Sequence, residues 1–166
     1  IKCCRFEFTE SAYSNVSNHT FNSVLQPNER LSYPSNDQDL PLKTMKITDI
    51  KTFLVKGGNR NWVFCKVETD EGVHGWGEGT LERHEQAVES GIKALSERLI
   101  GRDPTQIERN WQIMYRHGFW RGGAVMGSAM AAIDIALWDV TGKLYNLPVY
   151  KMLGGAVRDR VRAYTH

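Results

Sequence analysis

AVMGSAMAAIDIALWDVTGKLY, residues 124–145, is the most helical stretch of the chain, and the rest of the fold is built around it. Met126, Met130, Ile133, Leu137, Val140 and Leu144 recur at alternating steps of four and three, one stripe of a 3.6-residue period. Ala129, Ala132 and Ala136 make a second, small-residue face against which another element can approach closely. A helix apolar over so much of its surface is a central helix, with other elements packed around it. Asp134 and Asp139 interrupt it. Asp139 is placed to pair with Lys143, and Asp134 to bond at a seam between packed parts, because buried carboxylates are usually partnered. The alternative for either is an acid catalyst or a metal ligand.

Working upstream, three strands are expected. Lys46–Val55 is rich in β-branched and apolar residues. Gly57-Gly58-Asn59 then breaks the chain. Trp62–Thr69 alternates, with Val63, Cys65, Val67 and Thr69 on one face and Phe64, Lys66 and Glu68 on the other. Asp70-Glu71-Gly72 is a turn, and Val73–Glu78 the third strand. Short links make this an antiparallel meander, which exposes an apolar face until something covers it. The cover is helical. Leu81–Ile100 aligns Val88, Ile92, Leu95 and Leu99, pairs Glu89 with Lys93 outside, and has Thr80 as its expected N-cap. A second helix is expected from Asp103 as cap, Pro104 at the first position and Gln106 closing a capping box, with Ile107, Trp111, Met114 and Tyr115 as its stripe and Gly118 at its end. Downstream, Leu147-Pro148 restarts a short helix that stops at Gly154-Gly155, and Val161–His166 reads as a strand. The fold class is α+β: a three-stranded antiparallel meander plus a helical bundle.

Residues 1–44 stand apart. They hold six Ser and five Asn, against three and four in the rest, and all five Trp lie after Met45. The leader is slightly acidic and the remainder basic, and Gln26–Leu42 carries three prolines among polar residues. It lacks a sustained helical or strand period, a secretory apolar core and an Arg-rich transit composition. It is expected to be disordered or extraneous, adding no packing. Two glycosylation-like triplets, at Asn15 and Asn18, fit chance in an Asn/Ser-rich stretch. Of the cysteines, Cys3 and Cys4 fall in the leader and Cys65 in a strand, so no disulfide framework or zinc spacing exists, which agrees with a cytoplasmic setting. Cys65 reads as a packing group. With 41% hydrophobic residues the chain is globular, and a net charge of +2 gives no argument for nucleic acid or an anionic membrane as partner. No uninterrupted apolar run reaches the roughly 20 residues of a membrane span. At 166 residues the chain is too short for a (β/α)8 barrel of about 250.

These pieces have a family likeness. ETDEGVHGWGEGTLERH at 68–84, LIGRDPTQIERNWQIMYR at 99–116, FWRGGAVMGSAMAAIDIALWDVTGK at 119–143, LPVYKMLGG at 147–155 and RVRAYTH at 160–166 occur in order. The chain from Met45 resembles the N-terminal capping domain of the enolase superfamily, in its mandelate racemase and muconate-lactonising branch. Within that branch it looks most like the acid-sugar dehydratases of galactonate and mannonate type. The leader has no counterpart, and Met45-Lys46-Ile47 resembles the family's usual start.

The resemblance implies a cap over residues 45–155 and, at 156–166, the start of a (β/α) barrel whose first strand is Arg160–His166 and whose other strands are missing. It implies a reaction in which a proton is taken from the carbon beside a carboxylate, Mg²⁺ stabilises the charge that develops, and a β-hydroxyl departs to leave a 2-keto-3-deoxy acid. The metal ligands and principal bases of the family come from later barrel strands, so neither a metal ligand nor a catalytic base is assigned in this chain. What the cap supplies is specificity, through two loops that match Lys56–Asn61 and Gly77–His84 and close over the barrel mouth. Glu82 matches a position that contacts substrate hydroxyls, where the galactonate type has Glu and the mannonate type Asn. His166 matches a first-strand His of the mannonate type. Against these stand simpler readings: Glu82 as a solvated acid in the first turn of a helix, His84 as a surface residue, Trp62 as an apolar sheet residue and Arg121 as a structural cation. The substrate expected is a small acid sugar, and the full-length enzyme a homo-oligomer. The alternatives are a racemase or cycloisomerase of the same superfamily, or a non-catalytic stand-alone cap.

Overall fold

The computed structural model describes residues 45–116 and 118–164. The expectations for residues 1–44 and for His166 lie outside them. Three strands run in chain order, β1 (Ile47–Gly57), β2 (Arg60–Thr69) and β3 (His74–Glu78), followed by α1 (Glu85–Ser96), α2 (Ile107–Arg116), α3 (Ala124–Leu144) and the short α4 (Val149–Met152). The sheet order is β1-β2-β3, antiparallel throughout. Gly58 and Gly72 sit in the two hairpin turns at φ of 67° and 76°, a conformation open to glycine at no steric cost.

The period-2 reading of β2 holds: Val63, Cys65 and Val67 are fully buried, and Thr69 nearly so. They face the helices. On α1 and just beyond it, Val88, Ile92, Leu95 and Leu99 are buried against the same core, and Glu89 pairs with Lys93 at 2.7 Å. Glu89 also accepts the Thr52 hydroxyl at 3.0 Å, tying α1 to β1.

The central helix explains the rest. Ala129, Ala132, Ile133, Ala136, Leu137 and Val140 are fully buried. The small-residue face meets β3 and the residue after it, where the inward positions are glycines: a Cβ on Gly75 would strike the backbone of α3 at Ala136, one on Gly77 the backbone at Ala132, and one on Gly79, just past the strand, the carbonyl of Ser128. Strand and helix therefore touch backbone to backbone, a density that any side chain would spoil. Asp139 pins this seam. Its carboxylate accepts the Trp76 N–H at 2.8 Å and pairs with Lys143 at 2.7 Å, and Lys143 also donates to the His74 carbonyl at 2.9 Å. Long and apolar enough by composition to cross a bilayer, α3 is buried under the sheet as the core helix of this domain.

Four expectations change. The first helix begins at Glu85, not Leu81, and His84 rather than Thr80 is its N-cap. Thr80 is already engaged: its hydroxyl oxygen accepts the Val63 N–H at 3.0 Å and so finishes the sheet. Second, Asp103 does not start α2. Its carboxylate accepts both the N–H and the hydroxyl of Thr105, closing a local turn, and the first helical bond runs from the Asn110 N–H to the Gln106 carbonyl. The turn is braced by Asn110, a buried residue of α2 whose amide donates to the Asp103 carbonyl at 2.8 Å. Third, the stripe on α3 fades at its end, where Leu144 is exposed. Last, residues 160–164 form no strand, and Val161 and Tyr164 are exposed. A strand needs a hydrogen-bonded neighbour, and among the described residues this segment has none.

Candidate functional site

The β2–β3 register leads to the site. Phe64 is opposite Glu78, and the Gly79 N–H reaches the Val63 carbonyl at 3.0 Å. Four residues beyond the Phe64–Glu78 pair on each strand lie Arg60 and Glu82. The structure joins them, with Nη1 of Arg60 3.1 Å from Oε1 of Glu82. The two loops expected to act together are thus bridged: the β1–β2 hairpin tip by Arg60, and the segment after β3 by Glu82.

Glu82 owes its position to a tight turn. The His84 N–H donates to the Leu81 carbonyl at 3.0 Å, and Arg83 sits at a φ of 66°, which only a few percent of non-glycine residues adopt. Such a residue stops a right-handed helix from starting earlier. The reading of Glu82 as a first-turn helix acid is therefore overturned, and Glu85 holds that place. The His84 ring Nδ1 lies 3.1 Å from the Glu82 carbonyl oxygen, and the Glu85 carboxylate accepts the Arg83 N–H at 3.2 Å. Both contacts fix the turn and leave the Glu82 carboxylate outside it, 60% exposed.

Around this pair is a cavity of about 390 Å³ lined by Asn59, Arg60, Asn61, Glu82, Arg83 and Glu85, all of them polar. A neighbouring cavity of about 490 Å³ shares Asn61, Arg83 and Glu85 and continues past Lys56 and His84 toward the start of α1. Leu54 and Ala87 add apolar surface to the second cavity, whereas the first offers both donors and acceptors, which suits a polyhydroxylated ligand better than an apolar one.

The remaining candidates fall elsewhere. Burial pushes the Cys65 thiol up to about 12, so at neutral pH it is an inert packing group. The Asp134 carboxyl is shifted upward, first by burial and then by the Glu108 charge, against the pull of a hydrogen bond from Trp138. Its partner is thus on its own helix. Trp62 lies on the outer face of the sheet with its indole against Gly57. Arg121 donates to the Gly118 carbonyl at 3.4 Å. Arg60 is the site residue that sequence reading missed; continuing the strand register past the hairpin would have found it.

Among the described residues no three His, Cys, Asp or Glu side chains converge to hold a metal. The donor set of these described residues does not fit Mg²⁺.

Residues 43–154 match the mandelate racemase / muconate lactonizing enzyme, N-terminal domain family. The chain belongs to this family. It is 52% identical over 120 residues to a D-galactonate dehydratase of Verminephrobacter eiseniae, covering 72% of this chain and 31% of that protein. A D-galactonate dehydratase of Cronobacter sakazakii is 50% identical over 121 residues, covering 73% and 31%. The crystal structure of an enolase from Pantoea ananatis with bound D-gluconate and Mg superposes with a TM-score of 0.67 at 45% identity, covering 69% of this chain and 28% of that one. The α+β fold class read from the sequence is thereby established. The chain spans about a third of the length of the curated relatives it matches.

Proposed function

We propose that this chain is the specificity-bearing cap of an acid-sugar dehydratase, a hydro-lyase that takes the proton from the carbon beside a carboxylate and expels the β-hydroxyl as water to leave a 2-keto-3-deoxy acid. The observation that carries the reading is half identity, over some 120 residues, to two D-galactonate dehydratases. Mg²⁺ belongs to the reading through the solved relative that holds it with D-gluconate. The metal and the catalytic base are assigned to parts of the protein outside the described cap. Within the cap, Glu82 accepts hydrogen bonds from substrate hydroxyls remote from the reacting carbon. Its exposed carboxylate in a wholly polar cavity supports that role. His166 is proposed as a second substrate contact, on the family resemblance of its segment. The enzyme is proposed to work as a homo-oligomer in the cytoplasm, where a protein whose buried cysteine is unpaired is at home.

The test is turnover of the complete protein on a panel of six-carbon sugar acids with Mg²⁺. The expected product is a 2-keto-3-deoxy acid, with D-galactonate among the best substrates. Glu82→Ala should lower kcat/KM by roughly ten- to a hundredfold, the range for losing one or two hydrogen bonds to a charged group. Epimerised or cyclised product instead of water loss would replace the dehydratase with a racemase or cycloisomerase. Absence of turnover on every acid sugar would overturn the reading.

A further inference from the structure

We propose that Arg60 is a specificity residue that reads the hydroxyl tail of the substrate as one unit with Glu82. This rests on the dehydratase reading above and names a residue that the resemblance does not.

The two groups face each other across the β1–β2 hairpin tip and the turn at 81–84, 3.1 Å apart. Both are more than half exposed, at 54% and 60%. An ion pair in that much water contributes little to folding, so the fold does not require it. Its chemistry suits a different task. A guanidinium presents five N–H donors in a rigid fork, and one contact to Glu82 leaves the others available. A carboxylate accepts and cannot donate. A sugar hydroxyl both donates and accepts, so vicinal hydroxyls can place O–H donors on Glu82 and oxygen acceptors on Arg60. Asn59 and Asn61, on either side of Arg60, line the same cavity and offer both kinds of group. The turn that presents Glu82 is held by the left-handed Arg83 and by the His84 ring. The tip that presents Arg60 is held by the β1–β2 ladder, in which Arg60 is opposite Gly57. Each half is thus fixed by its own backbone, and the ion pair bridges the two. A ligand that spans both would join the two loops.

The experiment compares Arg60→Ala, Arg60→Lys, Glu82→Ala and the Arg60→Ala/Glu82→Ala double variant in the complete protein, with D-galactonate as substrate. Arg60→Ala should raise KM about tenfold with kcat within twofold of the parent, and Arg60→Lys should recover part of the loss because it keeps the charge without the fork. The double variant should be no worse than about twofold below Glu82→Ala, as expected for residues that act together. D-glycerate, a three-carbon acid without the distal hydroxyls, should inhibit parent and Arg60→Ala with equal Ki. Thermal midpoints should match the parent's, separating a binding effect from a folding one. Parental KM in Arg60→Ala, equal losses for D-galactonate and D-glycerate, or fully additive losses in the double variant would each overturn the inference while leaving the dehydratase reading intact. A parent that turns over no acid sugar would overturn that reading first, and the inference with it.

Discussion

The α3–β3 seam and the Arg60–Glu82 bridge lie at opposite ends of what a small domain can do with its residues. At the seam, Gly75, Gly77 and Gly79 meet Ala132, Ala136 and Ser128 with no room for a methyl group, and Asp139 ties the strand to the helix. At the bridge, two long charged side chains meet in water above a polar cavity. The seam is dense, largely apolar and intolerant. The bridge is open, ionic and nearly free of energetic weight in the fold. A domain divided in this way can vary its exposed loop residues without changing how it folds, because the charged pair of the bridge is not part of the closed core.

That division can be broken, starting with the largest effect. Gly77→Ala places a Cβ against the backbone of α3 at Ala132, where no side chain can swing away. It should destabilise the domain by about 3 kcal/mol, the upper part of the usual range for overpacking, and lower the thermal midpoint by roughly 10 °C. A midpoint within a degree or two of the parent would show that strand and helix can separate at little cost, and the seam would lose its special place.

Next comes Asp139→Ala, which leaves the Trp76 N–H and the Lys143 ammonium without this acceptor. A loss of about 1–2 kcal/mol is expected in chemical denaturation. Asp139→Asn should lose less, since its amide oxygen can still take the Trp76 N–H.

The third is a pH effect at the core. Burial holds the Cys65 thiol protonated up to about 12 from an ordinary value of 9.0. A group whose folded pKa is raised favours the folded state fully below its unfolded value, and that contribution is lost as pH climbs through the folded one. Stability should therefore fall between pH 9 and 12, and less so in Cys65→Ala measured against its own neutral-pH value. Iodoacetamide at pH 8 should label Cys65 only after unfolding. Rapid labelling of the folded protein would place the thiol outside the core.

The smallest effect belongs to the bridge. Glu82→Ala should shift the thermal midpoint by no more than about 1 °C, since an exposed ion pair contributes only ~0–1 kcal/mol. A drop comparable to that of Asp139→Ala would make the bridge part of the scaffold and erase the contrast.

Much of the scaffold was legible in the residues. The alternation of Val63, Cys65, Val67 and Thr69, the stripe from Met130 to Val140 and the alanine face of α3 each depend on side-chain polarity repeating at a backbone period, a local property of the chain. The start of α1 was not legible. Thr80 followed by an amphipathic run is a good helix signal, yet its hydroxyl is taken by Val63, and Arg83 adopts a conformation that no local rule assigns to arginine. The turn at Asp103 was misread for a similar reason, because the same residue type closes turns and caps helices, and Thr105 and Asn110 decided between them.

The residues read in order carry the α+β class, the strands, the central helix with its glycine-compatible face, and through a long ordered likeness the family. Those follow from periodicity and composition, which neighbouring residues carry between them. It took the folded chain to show that Arg60 and Glu82 meet, that Asp139 holds Trp76 as well as Lys143, and that, among the described residues, 160–164 have no strand partner. Each of these is a contact, or the want of one, between segments distant in the chain. The register of one pair of strands and the handedness of one turn set such distances, and neither quantity is written in any single stretch of residues.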